Sequence, residues 1–281
     1  MFIGSCILAG LLCCTVAQPN QRTCAEMGKT ECPSSPPYNT AKITVNGTFR
    51  YVQTSECPPY KNPSWTNPAH ACVFETTYRI PVNPKMAKTP IPVGEKQEVF
   101  EGITYLKVDP QPMLGALGVL KTGVNIFGVG SPCGFSSKCP DQGAPTKWVD
   151  AVESEGHTVD FCGGHPAPTN QYHIHSGVGF NSSAGRETCQ LPQDKPGEHS
   201  ELLGWIFDGY GMYGRYSLGG KLPTDLDECH GHTHEIDGVN VYHYHIPDAF
   251  PWTIGCFKGC PEVSNNPREF AFTVDNDKYG C

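Results

Sequence analysis

Asp227-Glu-Cys-His-Gly-His-Thr-His-Glu-Ile-Asp-Gly-Val-Asn-Val-Tyr-His-Tyr-His245 is the stretch of sequence that decides the fold of this chain. Asp237-Gly238 lies between two alternating runs, and an Asp-Gly pair in that setting is the strongest short-range signal for a β-hairpin with a two-residue turn. Counting outward from the turn places His232 opposite His243. The sequence therefore predicts a hairpin in which histidines face one another across two strands.

The histidines of this hairpin are predicted to share one face. Side chains alternate along a strand, so Tyr242 and Tyr244 lie on the opposite face. Directly opposed Cβ atoms are roughly 5 Å apart, which lets two or three imidazoles reach one ion. The histidine face consists of His230, His232, His234, His243 and His245. This geometry indicates a metal site.

A second copy of the pattern lies upstream. Asp160-Phe-Cys-Gly-Gly-His165, followed by Tyr172-His-Ile-His175, repeats the order Asp-x-Cys-x-Gly-His and Tyr-His-x-His. We predict two related halves, at about 160–189 and 227–256, whose imidazoles form either two sites or one shared site. The predicted metal ligands are His165, His173 and His175 in the first half and His232, His243 and His245 in the second.

The N-terminus and two sequons predict a secreted glycoprotein. Residues 1–17 are uncharged and apolar and end in small residues, as expected of a signal peptide cleaved before Gln18. Asn46 and Asn181 begin Asn-x-Ser/Thr sequons, which are glycosylation acceptors on this route. We predict an extracellular location.

Cysteine usage is consistent with an oxidising compartment. Three of the 15 cysteines lie in the predicted signal peptide, which leaves an even number in the mature chain. Thiolate zinc ligands are the alternative, because some cysteines adjoin histidines. The same number of residues separates the members of two cysteine pairs, so we favour Cys162–Cys189 and Cys229–Cys256 as disulfides.

Composition and pattern predict a mainly β fold, a compact disulfide-stapled β-sheet domain. Gly 31 and Pro 26 indicate many turns and short strands. We assign 18–40 to an N-terminal arm that contains cysteine and proline, and 41–281 to the β domain. Residues 113–129 fit either a short helix or two buried strands. Asp208-Gly209 predicts another tight hairpin among aromatic residues.

Net charge and hydropathy exclude several partners. The charge of -8 argues against nucleic acid, and no basic run suggests a membrane surface. The apolar N-terminal segment is marginal in length for a membrane span. We expect a metal ion, and an extracellular matrix in one functional hypothesis, as the partners.

Several motifs together resemble the YHYH-domain family. They are Cys162-Gly-Gly-His165, Tyr172-His-Ile-His175, Leu203-Gly-Trp-Ile-Phe-Asp-Gly-Tyr-Gly-Met-Tyr-Gly214, Cys229-His-Gly-His232, Tyr242-His-Tyr-His245 and Phe250-Pro-Trp-Thr-Ile-Gly-Cys-Phe-Lys-Gly259. Ile174 stands where the family's name motif has tyrosine. The resemblance implies the importance of these positions and the extent of the fold, but it supplies no reaction.

The histidine clusters favour copper, with zinc as the alternative. Imidazole binds copper in both oxidation states, which permits dioxygen chemistry and a copper oxidase or oxygenase activity. A three-imidazole zinc site would instead leave a position for water in a hydrolase. Asp160, Asp227 and Glu235 are predicted to orient ring nitrogens.

Two functional hypotheses remain open at the level of sequence. One is a secreted, copper-dependent oxidative enzyme, and the other is a non-catalytic matrix or biomineral-associated protein. An accessible cleft beside the imidazoles would favour the enzyme, whereas enclosed histidines would favour the structural protein. A hydrogen-bonded polar core is the alternative to metal binding. His70 and His199 are isolated in the sequence and have no predicted role.

Overall fold

Strands dominate the computed structural model, which describes residues 22–61, 69–107, 115–133, 147–177, 183–265 and 274–281. The prediction of a mainly β fold is confirmed. The strands are β1 (Ala41–Asn46), β2 (Phe49–Thr54), β3 (Thr76–Pro81), β4 (Met86–Pro92), β5 (Lys96–Phe100), β6 (Ile103–Leu106), β7 (Ala116–Leu120), β8 (Asn125–Phe127), β9 (Gly130–Pro132), β10 (Trp148–Asp150), β11 (Gly164–Pro166), β12 (Tyr172–Ile174), β13 (Leu202–Ile206), β14 (Gly211–Tyr213), β15 (Gly231–Ile236), β16 (Val239–His245) and β17 (Cys256–Gly259). The α-helices are α1 (Ala151–Glu155), α2 (Ser183–Thr188) and α3 (Asn276–Tyr279), and short 3-10 turns span Ala25–Met27, Leu218–Gly220 and Val263–Asn265.

An eight-stranded sheet carries both histidine segments, in the order β11-β12-β8-β7-β13-β14-β16-β15. Antiparallel β7 and β13 form its centre, where Val119 pairs with Trp205. Moving outward, β8 corresponds to β14, β12 to β16 and β11 to β15, and the parallel pair in each half is the equivalent one. The sheet therefore has an approximate two-fold axis at its central strand pair.

The internal repeat is longer than the predicted one. Gly118-Val-Leu-Lys-Thr-Gly-Val-Asn-Ile-Phe-Gly128 occupies the same place in the first half as Gly204-Trp-Ile-Phe-Asp-Gly-Tyr-Gly-Met-Tyr-Gly214 in the second. Both hairpins have a register shift at the same position, and both turn through a glycine with positive φ, Gly123 and Gly209. Of the two readings of 113–129, the described part adopts the two buried strands.

Smaller sheets and disulfides surround this core. The other sheets are β1-β2-β3, β5-β6-β10-β9 and β17-β4. Cys24–Cys72 and Cys32–Cys57 tie the N-terminal arm to the body. The structure also joins Cys162 to Cys189 and Cys229 to Cys256, the two pairs that equal spacing favours, and Cys260 to Cys281. Cys133 is disulfide-bonded as well.

The predicted processing sites have different positions in the structure. Asn46 ends β1 at an exposed hairpin turn. Asn181 and the predicted signal peptide, 1–17, lie outside the described residues. Within the described ranges, no helix is long and apolar enough to cross a membrane.

The close pairing of β7 and β13 at the approximate two-fold axis requires glycine at position 204, and this predicts an effect on stability. A Cβ atom added at Gly204 would lie 2.3 Å from the Val119 carbonyl oxygen and 2.5 Å from the Leu120 Cα atom. Both atoms belong to the partner strand's backbone, so neither can move without breaking the central pairing. We expect Gly204→Ala to lower the free energy of unfolding by about 2–3 kcal/mol. Denaturant titration measures this change, and a loss below about 0.5 kcal/mol would contradict the assignment of the close approach.

Candidate metal centre

Both halves contain a histidine hairpin, and the register of the second one was predicted from the sequence. In the second half, His232 pairs with His243 across β15 and β16, which confirms the predicted count from the Asp-Gly turn. In the first half, His165 pairs with His173 across the short β11–β12 ladder. Each half therefore presents equivalent imidazoles at one edge of the large sheet.

A partly buried aspartate anchors each hairpin from its opposite face. One Asp160 oxygen accepts hydrogen bonds from the Cys162 and Gly164 amides, while the other accepts one from the Tyr172 hydroxyl at 2.8 Å. Asp227 accepts the equivalent bonds from the amides of Cys229 and Gly231 and from the hydroxyl of Tyr242. Fixing these bonds fixes the backbone that carries the histidines.

The aspartates do not orient ring nitrogens, so that prediction was wrong. Asp160 and Asp227 bind amides and tyrosine hydroxyls on the far side of the hairpin, because the alternation of side chains separates them from the imidazoles. Glu235 is exposed, and only its backbone carbonyl contacts a ring nitrogen, that of His234. Tyr242 and Tyr244 also lie on the far face, as predicted.

In the first half, hydrogen bonds fix the tautomer of all three imidazoles. His173 Nδ1 donates to the Gln171 carbonyl at 3.1 Å, and His175 Nδ1 donates to the Gly128 carbonyl at 3.0 Å. Thr158 gives its hydroxyl proton to a carbonyl, so it accepts from His165 Nδ1 at 2.6 Å. A neutral imidazole has one N–H, so each Nε2 presents a lone pair.

These three Nε2 atoms converge together with a carboxylate. The Nε2 atoms of His173 and His175 are 2.8 Å apart. Glu155 Oε2 lies 3.1 Å from His165 Nε2 and 3.7 Å from His175 Nε2. Facing lone pairs at such distances repel unless a cation or a proton lies between them. We call this set, His165, His173, His175 and Glu155, the pocket site.

Positive charge at the imidazoles would keep the Glu155 carboxylate ionised. Burial acts to raise the pKa of Glu155, but a hydrogen bond from protonated His165 and the charges of protonated His175 and His165 outweigh it and lower the pKa to about 2. The other carboxylate oxygen is hydrogen-bonded to the Ser131 hydroxyl. Glu155 could not be recognised from the sequence, because nothing in its local pattern distinguishes it from other helix carboxylates.

A cavity of about 220 Å³ lies beside the pocket site. Phe127 forms part of its wall and stacks on His173 with ring centroids 3.8 Å apart. Apolar atoms form most of the wall surface, and Glu56 and Gln171 are among the polar residues that line it. The imidazoles are thus accessible from a partly open, mainly apolar cavity.

The second half gathers a larger set of imidazoles. His199, His234, His243 and His245 have ligand nitrogens within 4.8 Å of one another, and we call these four residues the hairpin site. His232, a predicted ligand, is adjacent, with its Nε2 atom 3.2 Å from His245 Nε2. The Asp225 carboxylate accepts from His232 Nδ1 at 2.9 Å.

The structure places two histidines differently from what the sequence indicated. His199 is isolated in sequence, but its ring lies 5.0–5.3 Å from those of His234, His243 and His245. His230 precedes β15 with a positive φ of 66°, and it makes none of the ring contacts that join the other four hairpin histidines in the described structure. Positive φ interrupts the strand alternation on which the prediction of a five-histidine face depended.

The two clusters are separate sites. They lie toward opposite edges of the large sheet, and four strands stand between β12 and β16. At about 4.8 Å per strand, the separation along the sheet is roughly 24 Å. Thiolates contribute to neither site, because Cys162 and Cys229 are both in disulfides. A third grouping of possible ligands, Glu228 with Cys229 and Cys256, contains that disulfide.

Burial keeps the imidazoles neutral, and this predicts the sign of a pH effect. It lowers the pKa of His175 to about 4 and those of His243 and His245 to about 3. The unfolded chain takes up protons near pH 6.5, so the stability due to neutral imidazole is present above that pH and is lost as the pH falls toward 4. We expect the metal-free protein to lose about 1 kcal/mol per pH unit per buried histidine in this window. Thermal unfolding between pH 4 and 8 measures it, and a flat profile would contradict it.

Fold and site together define a β-sheet protein with two histidine clusters that could hold metal ions. The model of the family described as YHYH protein matches residues 77–222, slightly more than half of the chain. The chain therefore belongs to the YHYH family. The matched range contains the pocket site and His199, and it ends before the second histidine hairpin. No curated protein and no solved structure matches the chain.

Proposed function

We propose that this is a secreted metal-binding protein and that its pocket site is the copper centre of an oxidative enzyme. The observation that supports the proposal is the convergence of three imidazole lone pairs and one carboxylate at the wall of a cavity. His165 Nε2 is buried, and with the ring proton on Nδ1 it has no hydrogen-bond partner among the described residues. Its nearest neighbour is Glu155 Oε2, 3.1 Å away, so two acceptors face each other where a bound cation would be held.

The donor set and the cavity wall favour copper and oxidation. When bound, copper would be held by the three imidazoles and Glu155, and it would supply one-electron and dioxygen chemistry. Imidazole suits both oxidation states of copper. The mainly apolar wall suits a small organic substrate. A zinc ion in the same ligands would instead support hydrolysis.

The protein residues have distinct roles in this proposal. Carbonyl groups of Gln171 and Gly128 hold the rings of His173 and His175 with Nε2 directed inward. Phe127 covers one face of His173 and restricts water on that side. The cavity distinguishes this function from the non-catalytic matrix or biomineral-associated protein, for which no access to the imidazoles is needed.

Secretion belongs to the same proposal. Disulfides in the described chain fit an oxidising compartment. The apolar segment 1–17 would direct the chain there. A mature N-terminus near Gln18 in protein from a secretory host is the expected result.

Metal analysis followed by spectroscopy tests the function. Protein purified from a secretory host without added metal should contain copper, and the oxidised form should give a paramagnetic resonance spectrum with nitrogen ligands. Oxygen uptake is then measured with a panel of small apolar reductants. Zinc in place of copper would overturn the oxidative proposal in favour of hydrolysis. Copper without oxygen uptake for any reductant would favour the non-catalytic protein.

A further inference from the structure

We propose that His199 and His234 complete a second metal site with His243 and His245, and that the ion there is structural. It would join the segment before β13 to the β15–β16 hairpin. This second site and the proposed function share only the premise that histidine clusters of this protein bind metal. The second site has different ligands, lies toward a different edge of the sheet and has a different role.

Every ligand of the hairpin site has its outer nitrogen fixed. The Nδ1 atoms of His243 and His245 donate to the carbonyls of Val241, at 3.1 Å, and Gly214, at 2.5 Å. A carbonyl oxygen can only accept, so both rings carry their proton on Nδ1 and present a bare Nε2. Outer-shell bonds of this kind are those that orient metal-binding histidines.

The two added ligands follow the same rule. His199 Nδ1 donates to the Ser200 carbonyl at 2.6 Å, and His234 Nδ1 donates to the Glu235 carbonyl at 3.1 Å. The four Nε2 atoms therefore carry no proton, and each is available as an acceptor or ligand. The Ser217 hydroxyl lies 3.3 Å from His234 Nε2 and is the group that a metal ion would displace there.

Two of the inward nitrogens are buried and unsatisfied. His243 is 1% exposed, and its Nε2 atom has no hydrogen-bond partner among the described residues. The Nε2 atom of His199 is likewise buried without a partner in the described structure. An unsatisfied buried acceptor destabilises the fold, and a cation at the centre of the four rings would remove that cost for both.

Four imidazoles make a closed site. Structural zinc sites take four protein ligands in a tetrahedron, whereas catalytic sites leave a position open. Both sites supply four donor atoms, four nitrogens at the hairpin site and three nitrogens with a carboxylate at the pocket site. The cavity beside the pocket site, and not the number of ligands, therefore favours a reactive ion there and a structural ion at the hairpin site.

The ligands come from segments that are far apart in sequence. His199 lies in the connection between the two halves of the repeat, and the other three lie on β15 and β16. In the described structure, His199 meets His234 and His243 through ring contacts, with centroids 5.0 and 5.3 Å from its own. A bound ion would replace these ring contacts with bonds and so stabilise the second half.

Metal stoichiometry in matched variants tests the inference. Metal-free full-length protein is loaded with copper or with zinc, dialysed and analysed for metal content, and its thermal unfolding is recorded with and without metal. We expect two ions in the parent and one in His199→Ala. Metal addition should raise the unfolding temperature of His199→Ala by less than that of the parent. His70→Ala is the control, since His70 is half-buried like His199 but pairs with Glu31 outside both sites. It should retain two ions.

The outcomes separate this inference from the proposed function. The hairpin site would be overturned if His199→Ala binds two ions and its unfolding temperature rises on metal addition as much as that of the parent. One ion in the parent that is lost in His173→Ala and kept in His199→Ala would overturn it too, while leaving the pocket site intact. One ion that is kept in His173→Ala and lost in His199→Ala would support the hairpin site and defeat the pocket site.

Discussion

Replacing Asp208 with alanine should lower the free energy of unfolding by about 3–5 kcal/mol. Asp208 is fully buried, and one of its oxygens accepts from the Tyr244 hydroxyl at 2.5 Å and from the Gly259 amide at 3.0 Å. The other oxygen accepts from the Tyr210 amide. Alanine would leave these donors unsatisfied at the junction of β13, β16 and β17. Denaturant unfolding, followed by circular dichroism, measures the loss.

Asparagine at position 208 is the matched control. It keeps an acceptor oxygen for Tyr244 but no charge, so we expect a smaller loss than for alanine. Burial raises the pKa of Asp208 to about 6 in the folded protein. Its contribution to stability is therefore fully present below pH 4 and falls as the pH rises to about 6, which is opposite in sign to the histidine effect. Equal losses for Asp208→Ala and Asp208→Asn at all pH values would show that these hydrogen bonds matter little.

The second large effect is expected from His173→Ala. This change removes one of the three converging nitrogens of the pocket site and the ring that stacks on Phe127. Two imidazoles and a carboxylate remain, so we expect the affinity of the pocket site for copper to fall by at least 100-fold. Competition with a chelator measures that affinity, and oxygen uptake should be lost with it.

Two control variants test whether the effect of His173→Ala comes from the loss of a metal ligand. His70→Ala should keep both metal affinity and oxygen uptake, because its ring lies outside the two sites. Glu155→Gln keeps the shape of the fourth ligand but removes its charge, so an intermediate loss of affinity is expected. Full copper affinity in His173→Ala would contradict the pocket-site assignment and favour a hydrogen-bonded polar core.

Local pattern was sufficient to predict the second histidine hairpin. The turn at Asp237-Gly238 and the alternation around it fix a register, and a register determines which side chains oppose one another. His232 therefore faces His243 as counted. Equal spacing in the repeat likewise singled out the pairs Cys162–Cys189 and Cys229–Cys256, because equivalent positions in two related halves have equivalent neighbours.

Tertiary structure alone decided which residues complete the two sites. Glu155 reaches His165 from a helix outside the hairpin, and His199 reaches His243 from the connection between the halves. Neither contact follows a sequence period, because both depend on the order of strands in the sheet. The separation of the sites has the same origin: the central β7–β13 pair, made possible by Gly118 and Gly204, places the related hairpins toward opposite edges. The sequence by itself determined the second hairpin and its inward face, and long-range packing determined which side chains join each cluster.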